Sequence, residues 1–156
     1  MSCARTKKSR HSRYQLRRGR ASVLSDIPMR DLILFCKALS DPTRVRIVKL
    51  LCMTEACVCE LCDALEISQS TLSTHLQVIR QAGLVATRKK GTWIYYSIDP
   101  TIMGLLETLF AHNQDALSSD RRMETDKQRM QQRTALREAG ECLLGFDVLQ
   151  TGKEVK

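Results

Sequence analysis

Three of the chain's seven cysteines fall within six residues, in the run Cys57-Val58-Cys59-Glu60-Leu61-Cys62. Thiolate sulfur is a soft ligand, and three sulfurs so close in sequence suit a thiophilic ion. Trigonal As(III) or Sb(III) takes three sulfurs and needs no fourth donor, so it fits this set best. Structural zinc takes four ligands, usually in two spaced pairs. No second pair exists here, although Cys3, Cys52 or Cys142 could add a ligand by folding back. Two other readings of the same residues stay open: small buried hydrophobes, and a disulfide-forming redox switch.

Geometry limits how the three sulfurs act together. Side chains advance about 100° per residue along a helix, so Cys59 and Cys62 are neighbours whereas Cys57 and Cys59 point apart. Either Cys57 precedes the first helical turn, or binding unwinds that turn. Both options put the site at the N-terminal edge of a helix, where the macrodipole favours thiolate.

The elements that must position this run are legible from spacing and caps. Leu32, Phe35, Ala38 and Leu39 recur at helical spacing and predict a helix over 29–39. Asp41 caps a second helix opened by Pro42 and ending near Cys52. A third helix covers Val58 to Leu65, Glu66-Ile67 makes a turn, and Ser68 caps a fourth that runs to Gln81 before the stop at Ala82-Gly83. Two short helices joined by so tight a turn form a helix-turn-helix. The β-rich runs 84–88 and 92–98 flank Lys89-Lys90-Gly91 and predict a hairpin, the wing. A last helix from Asp99-Pro100 carries Ile102, Leu105, Leu106, Leu109 and Phe110 as one apolar stripe. That stripe, with Leu32 and Phe35 of the first helix, is assigned to a dimer interface; the alternative is that it closes the monomer core. The fold class is therefore mainly α with a small β-hairpin, a homodimeric winged helix-turn-helix over 29–112. Residues 1–28 form a basic arm expected to be disordered when free. Residues 113–156 form a polar extension in which Glu141 to Val148 is a short apolar patch.

The fourth helix turns Gln69, Ser70, Thr71, Ser73, Thr74, His75 and Gln77 outward. Short hydroxyls and amides of this kind reach base edges and phosphates in a major groove. His75 fits either that face or the core. Arg80 and the wing's Arg88, Lys89 and Lys90 are placed on phosphates, against the alternative of a solvated charged face. A two-fold dimer would set two such helices about 34 Å apart, matching an inverted repeat in double-stranded DNA.

Composition narrows the class. The chain has 156 residues, 43% hydrophobic but only 4% aromatic, which suits aliphatic helix packing. Its net charge of +8 belongs to residues 1–20, which hold eight basic groups and no acid; the remainder is balanced. A basic arm favours a polyanionic partner. It also resembles a transit peptide, or sequence ahead of a start at Met29. No apolar run approaches the roughly 18 residues of a membrane span, and no secretory signal is present, so the cysteines read as thiols or ligands in a reducing cytoplasm. A thiol enzyme of the C-x5-R type needs arginine six residues after a cysteine, and none of the seven has it. No glycine-rich phosphate loop or hydrolase elbow appears either, so no enzyme activity and no catalytic cofactor are expected.

The segments Ala38-Leu39-Ser40-Asp41-Pro42-Thr43-Arg44, Cys57 to Cys62, Ser68 to Leu76, Leu84-Val85 and Gly91 to Tyr96 together resemble the ArsR/SmtB metalloregulatory repressors. More narrowly, they resemble the arsenite-responsive branch with a C-V-C-x-x-C site ahead of the recognition helix. The resemblance implies a homodimer that represses an arsenic-resistance operon and releases DNA on binding As(III) or Sb(III), with Cys57, Cys59 and Cys62 as the inducer ligands. Relatives that sense Cd(II) or Pb(II) combine C-x-C with cysteines of an N-terminal arm, where Cys3 stands, so a divalent-metal or thiol-redox repressor of the same fold is the alternative. Thr74 replaces a residue that is commonly basic. Asp99 is followed by Pro100 and Thr101 rather than by the Asp and His of the zinc site on the last helix.

Overall fold

The computed structural model describes residues 29–137 together with 142, 145, 146 and 149. The basic arm, Cys3, and Glu141, Leu143, Leu144 and Val148 of the apolar patch lie outside the described residues.

Seven helices and three strands are described: α1 Met29–Leu39, α2 Pro42–Met53, β1 Ala56–Cys57, α3 Val58–Leu65, α4 Gln69–Gln81, β2 Val85–Lys90, β3 Trp93–Ile98, α5 Pro100–His112, α6 Gln114–Ser118 and α7 Arg121–Ala135. Local chemistry sets the boundaries. The Asp41 carboxylate accepts from the Arg44 amide at 2.9 Å and caps α2, with Pro42 just inside it. The Ser68 hydroxyl accepts from the Thr71 amide at 3.2 Å and starts α4. Between them Glu66 closes α3 in the left-handed region at φ 53°. Its carboxylate pairs with Arg129 of α7.

The sheet is antiparallel in the order β1-β3-β2. β2 and β3 form the expected wing around Gly91, whose φ of 59° meets the turn's need for left-handed backbone. The third strand was not foreseen. Ala56 and Cys57 pair with Tyr96 and Tyr95, tying the segment ahead of α3 to the wing.

Ile47, Val48, Leu50 and Leu51 of α2, Leu61 and Leu65 of α3, and Leu72, Leu76 and Ile79 of α4 fill the main core. Leu106 and Phe110, both assigned to the dimer interface, pack inside the chain. They are 0% and 5% exposed within the chain's own core, and the Lys49 ammonium lies 4.8 Å from the Phe110 ring centre. Of the other residues assigned to an interface, Leu32 is exposed, while Phe35, Ile102, Leu105 and Leu109 are half-buried.

The polar stretch after α5 is not featureless. α7 runs back along α3 and α2 and buries Asp126, Met130 and Arg133. Arg46 of α2 holds the Asp126 carboxylate with two hydrogen bonds of 2.6 and 2.7 Å. Among the described residues no helix is long and apolar enough to cross a membrane.

Candidate metal centre

Cys57 ends β1 in extended backbone, φ −86° and ψ 170°, and is the N-cap of α3. It precedes the first turn, so the angular conflict between Cys57 and Cys59 is resolved without unwinding the helix. The Glu60 carboxylate accepts from the Cys57 amide at 2.9 Å, one half of a capping box. The two sulfurs stand 2.9 Å apart and both residues are wholly buried.

The third sulfur of the group is Cys142. Its Sγ is 3.3 Å from that of Cys59, and the sulfurs of Cys57, Cys59 and Cys142 all lie within 4.8 Å of one another. Cys62, the expected third member, packs in the main apolar core at 6% exposure, whereas Cys57, Cys59 and Cys142 cluster separately with Tyr95, against Trp93. Cys57 sits outside α3, so the group gathers at the helix end and faces β3. Cys36 is exposed and Cys52 half-buried; burial pushes the Cys52 thiol up to about 11.

Polar partners surround the sulfurs. The Cys142 amide donates to the Tyr95 hydroxyl at 2.7 Å. Arg133, wholly buried, donates through Nη2 to the Cys142 sulfur at 3.4 Å and to the Gly145 carbonyl at 2.9 Å, and through Nε to the Asp63 carboxylate at 2.9 Å. Arg137 holds both oxygens of Glu60 at 2.7 and 2.9 Å. Arg129, Arg133 and Arg137 thus meet Glu66, Asp63 and Glu60 in turn, an ion-pair ladder between antiparallel segments. Sequence reading missed this ladder. Its signal was arginine at every fourth residue of one segment opposite acids at every third residue of another.

Charge is shared unequally among the sulfurs. Hydrogen bonding to Cys142 and Cys59, together with burial, pushes the Cys57 thiol far up. Cys59 rises to about 12, chiefly through Cys142. Cys142 is held low by hydrogen bonds from Cys57 and Cys59 and by the Arg133 cation. The helix dipole would favour thiolate on α3's own cysteines, but the charge settles on Cys142, beside the guanidinium. Both acids flanking the cysteines on α3 are engaged by arginine, so among the described residues the donor set is sulfur. That set fits a thiophilic ion and is a poor one for a hard cation.

The expected DNA face is divided. Gln69, Ser70, Thr71, Ser73, Thr74, Gln77 and Arg80 are exposed along α4, and Lys89 and Lys90 along the wing. Thr74 donates its hydroxyl to the Ser70 carbonyl at 3.1 Å. His75 is half-buried with Nδ1 3.6 Å from Asp41. Arg88 pairs with Glu55 at 2.6 Å and stacks over Tyr95, so it faces the cysteine cluster's side of the wing.

Residues 41–87 match the family of bacterial regulatory proteins called arsR. That segment contains Cys57, Cys59 and Cys62 and ends well short of Cys142. The chain is 42% identical over 89 residues to the arsenic resistance transcriptional regulator ArsR1 of Pseudomonas putida, covering 54% of this chain and 70% of that one. It is 35% identical over 106 residues to the cadmium resistance transcriptional regulatory protein CadC homolog of Staphylococcus aureus, covering 67% and 87%. The homodimeric winged helix-turn-helix DNA-binding domain Mb0332 from Mycobacterium bovis superposes with a TM-score of 0.53 at 27% identity, covering 59% of this chain and 86% of that one. Helix-turn-helix, wing and sequence agree on one placement: the chain belongs to the arsR family of bacterial regulatory proteins.

Proposed function

We propose that the chain is an arsenite- and antimonite-responsive transcriptional repressor that holds an inverted-repeat operator as a homodimer and releases it when As(III) or Sb(III) binds. The observation that carries this reading is the buried pair of Cys57 and Cys59 sulfurs, 2.9 Å apart where β1 meets α3. α3 packs directly behind α4. Cys57 and Cys59 supply two inducer ligands, with the third from Cys62 or Cys142. The exposed face Gln69, Ser70, Thr71, Ser73, Thr74 and Gln77 enters the major groove, and Arg80, Lys89 and Lys90 hold phosphates. Leu32 and the half-buried Phe35, Ile102, Leu105 and Leu109 meet the second subunit. The name of the Pseudomonas putida relative supports the choice of arsenic.

A gel-shift titration with As(III), Cd(II) and Zn(II) on an operator selected from random DNA tests the reading. As(III) is expected to release DNA at the lowest concentration, and a Cys57→Ser, Cys59→Ser variant is expected to stay bound. Release of that variant by arsenite would refute the assignment. A Cd(II)-responsive repressor is the second reading, favoured by the cadmium-resistance relative. Release by Cd(II) below the arsenite threshold would select it.

A further inference from the structure

We infer that the third inducer ligand is Cys142, supplied from beyond α7, so that ion capture fastens the C-terminal segment to the start of α3; this rests on the inducer reading above. Three independent placements support it. The Cys142 sulfur already lies 3.3 Å from Cys59, and Cys142 is 0% exposed. Its amide is fixed by the Tyr95 hydroxyl, and Tyr95 is the β3 residue paired with Cys57, so one strand orients two of the sulfurs. Arg133, itself wholly buried, donates to the Cys142 sulfur and compensates the charge of a sulfur cluster out of water.

The two short sulfur–sulfur separations already stand at or inside the spacing that a shared ion would impose. Bonds of about 2.3 Å, the length thiolate makes to zinc, separate their sulfurs by about 3.8 Å at tetrahedral angles but only about 3.3 Å at right angles. The two short separations, 2.9 and 3.3 Å, lie at or below the right-angled value. Against arsenous acid the three sulfurs replace three hydroxyl groups: three As–O bonds give way to three As–S bonds and no electrons are transferred. Each hydroxyl leaves as water with the proton of a thiol or, at a thiolate, one from solvent.

The test uses the full reduced chain and sodium arsenite, counting sulfurs around arsenic by X-ray absorption and measuring affinity by competition with a dithiol. The parent and Cys62→Ser are expected to show three sulfurs with affinity within a few-fold of each other. Cys142→Ser is expected to show two sulfurs and to weaken binding by at least about tenfold, the lower end of what even an outer-shell loss costs. Three sulfurs in Cys142→Ser with a loss in Cys62→Ser would overturn this inference and leave the inducer reading standing. Undiminished binding by Cys57→Ser, Cys59→Ser would overturn the inducer reading itself. Hydrogen exchange on the unaltered chain gives a readout independent of any variant's folding. Arsenite is expected to slow exchange in peptides spanning residues 133–146, and unchanged exchange there would overturn the inference.

Discussion

Replacing Arg133 by methionine is expected to cost the fold about 3–5 kcal/mol, the range found when one partner of a buried ion pair is removed. Burial decides the magnitude. The same pair at the surface would contribute only about 0–1 kcal/mol. Here the Arg133 and Asp63 side chains are 0% and 1% exposed with 2.9 Å between Nε and Oδ2. Desolvation works against the Arg133 charge, yet Asp63 and then the sulfurs of Cys142 and Cys59 hold its pKa above the usual value. Removing the guanidinium therefore takes a hydrogen-bonded cation from a buried carboxylate and a buried sulfur. Against a total stability of about 5–15 kcal/mol, such a loss is readily measured. Arg133→Met with Asp63→Leu removes both charges, and replacing a buried pair by apolar groups is often neutral or stabilising. The double variant is expected to regain most of the loss and to stop short of the parent, because Cys142 still lacks its cation. Urea unfolding followed by circular dichroism, at one protomer concentration under reducing conditions, measures the cycle. A single-variant cost below about 1 kcal/mol, or a double variant no better than the single, would refute the reasoning from burial.

Tyr95→Phe removes the acceptor of the buried Cys142 amide and is expected to cost about 1–3 kcal/mol in the same urea assay, with faster exchange at that amide. Proton linkage should separate the candidate inducers. Hydrogen bonding and burial push Cys57 and Cys59 toward the thiol, while Cys57, Cys59 and Arg133 hold Cys142 toward the thiolate. Cd(II) must then displace about two protons and bind more tightly as pH rises from 6 to 8, whereas arsenous acid brings the hydroxyls that accept them and gains nothing from higher pH. Calorimetry in buffers of different ionisation enthalpy reads the difference, and equal proton release by both ions would contradict the assigned charge states. Lys89→Ala is expected to reduce the slope of log affinity against log salt by about 0.9, the counterion release of one neutralised phosphate, read by fluorescence anisotropy on a fixed operator. An unchanged slope would place Lys89 off the DNA.

The parts of the fold that the sequence announced are those fixed by local chemistry. The bounds predicted for α1, α3 and α4 and the start of α2 agree with the structure because caps at Asp41 and Ser68 and apolar spacing act within a turn or two. The wing needed only a change of period and a glycine. The missing parts are long-range. β1 is two residues long and exists only by pairing with β3. The buried face of α7 is Asp126, Met130 and Arg133, and two charged residues of three are invisible to a hydrophobic pattern. Cys142 was one of three distant cysteines that could fold back to add a ligand, and nothing local singled it out from Cys3 and Cys52. Its neighbours in space, Tyr95 and Arg133, come from a strand and a helix that only the folded chain brings together.

Under the proposed function, position explains how so small a site would govern DNA binding. α3 is eight residues long, and Cys59 through Leu65 are all buried. It has α4 against one side and the α7 ladder against another, and its first residue continues a strand of the wing's sheet. A well-packed two-turn helix has no free surface into which a displacement can dissipate. Drawing Cys57, Cys59 and Cys142 onto one ion would therefore load both elements proposed to contact DNA, α4 through the core and the wing through β3. A coupling of about 1–3 kcal/mol suffices for a 5- to 150-fold loss of operator affinity. Linkage requires the same factor in reverse, so operator-bound protein must hold arsenite correspondingly less tightly.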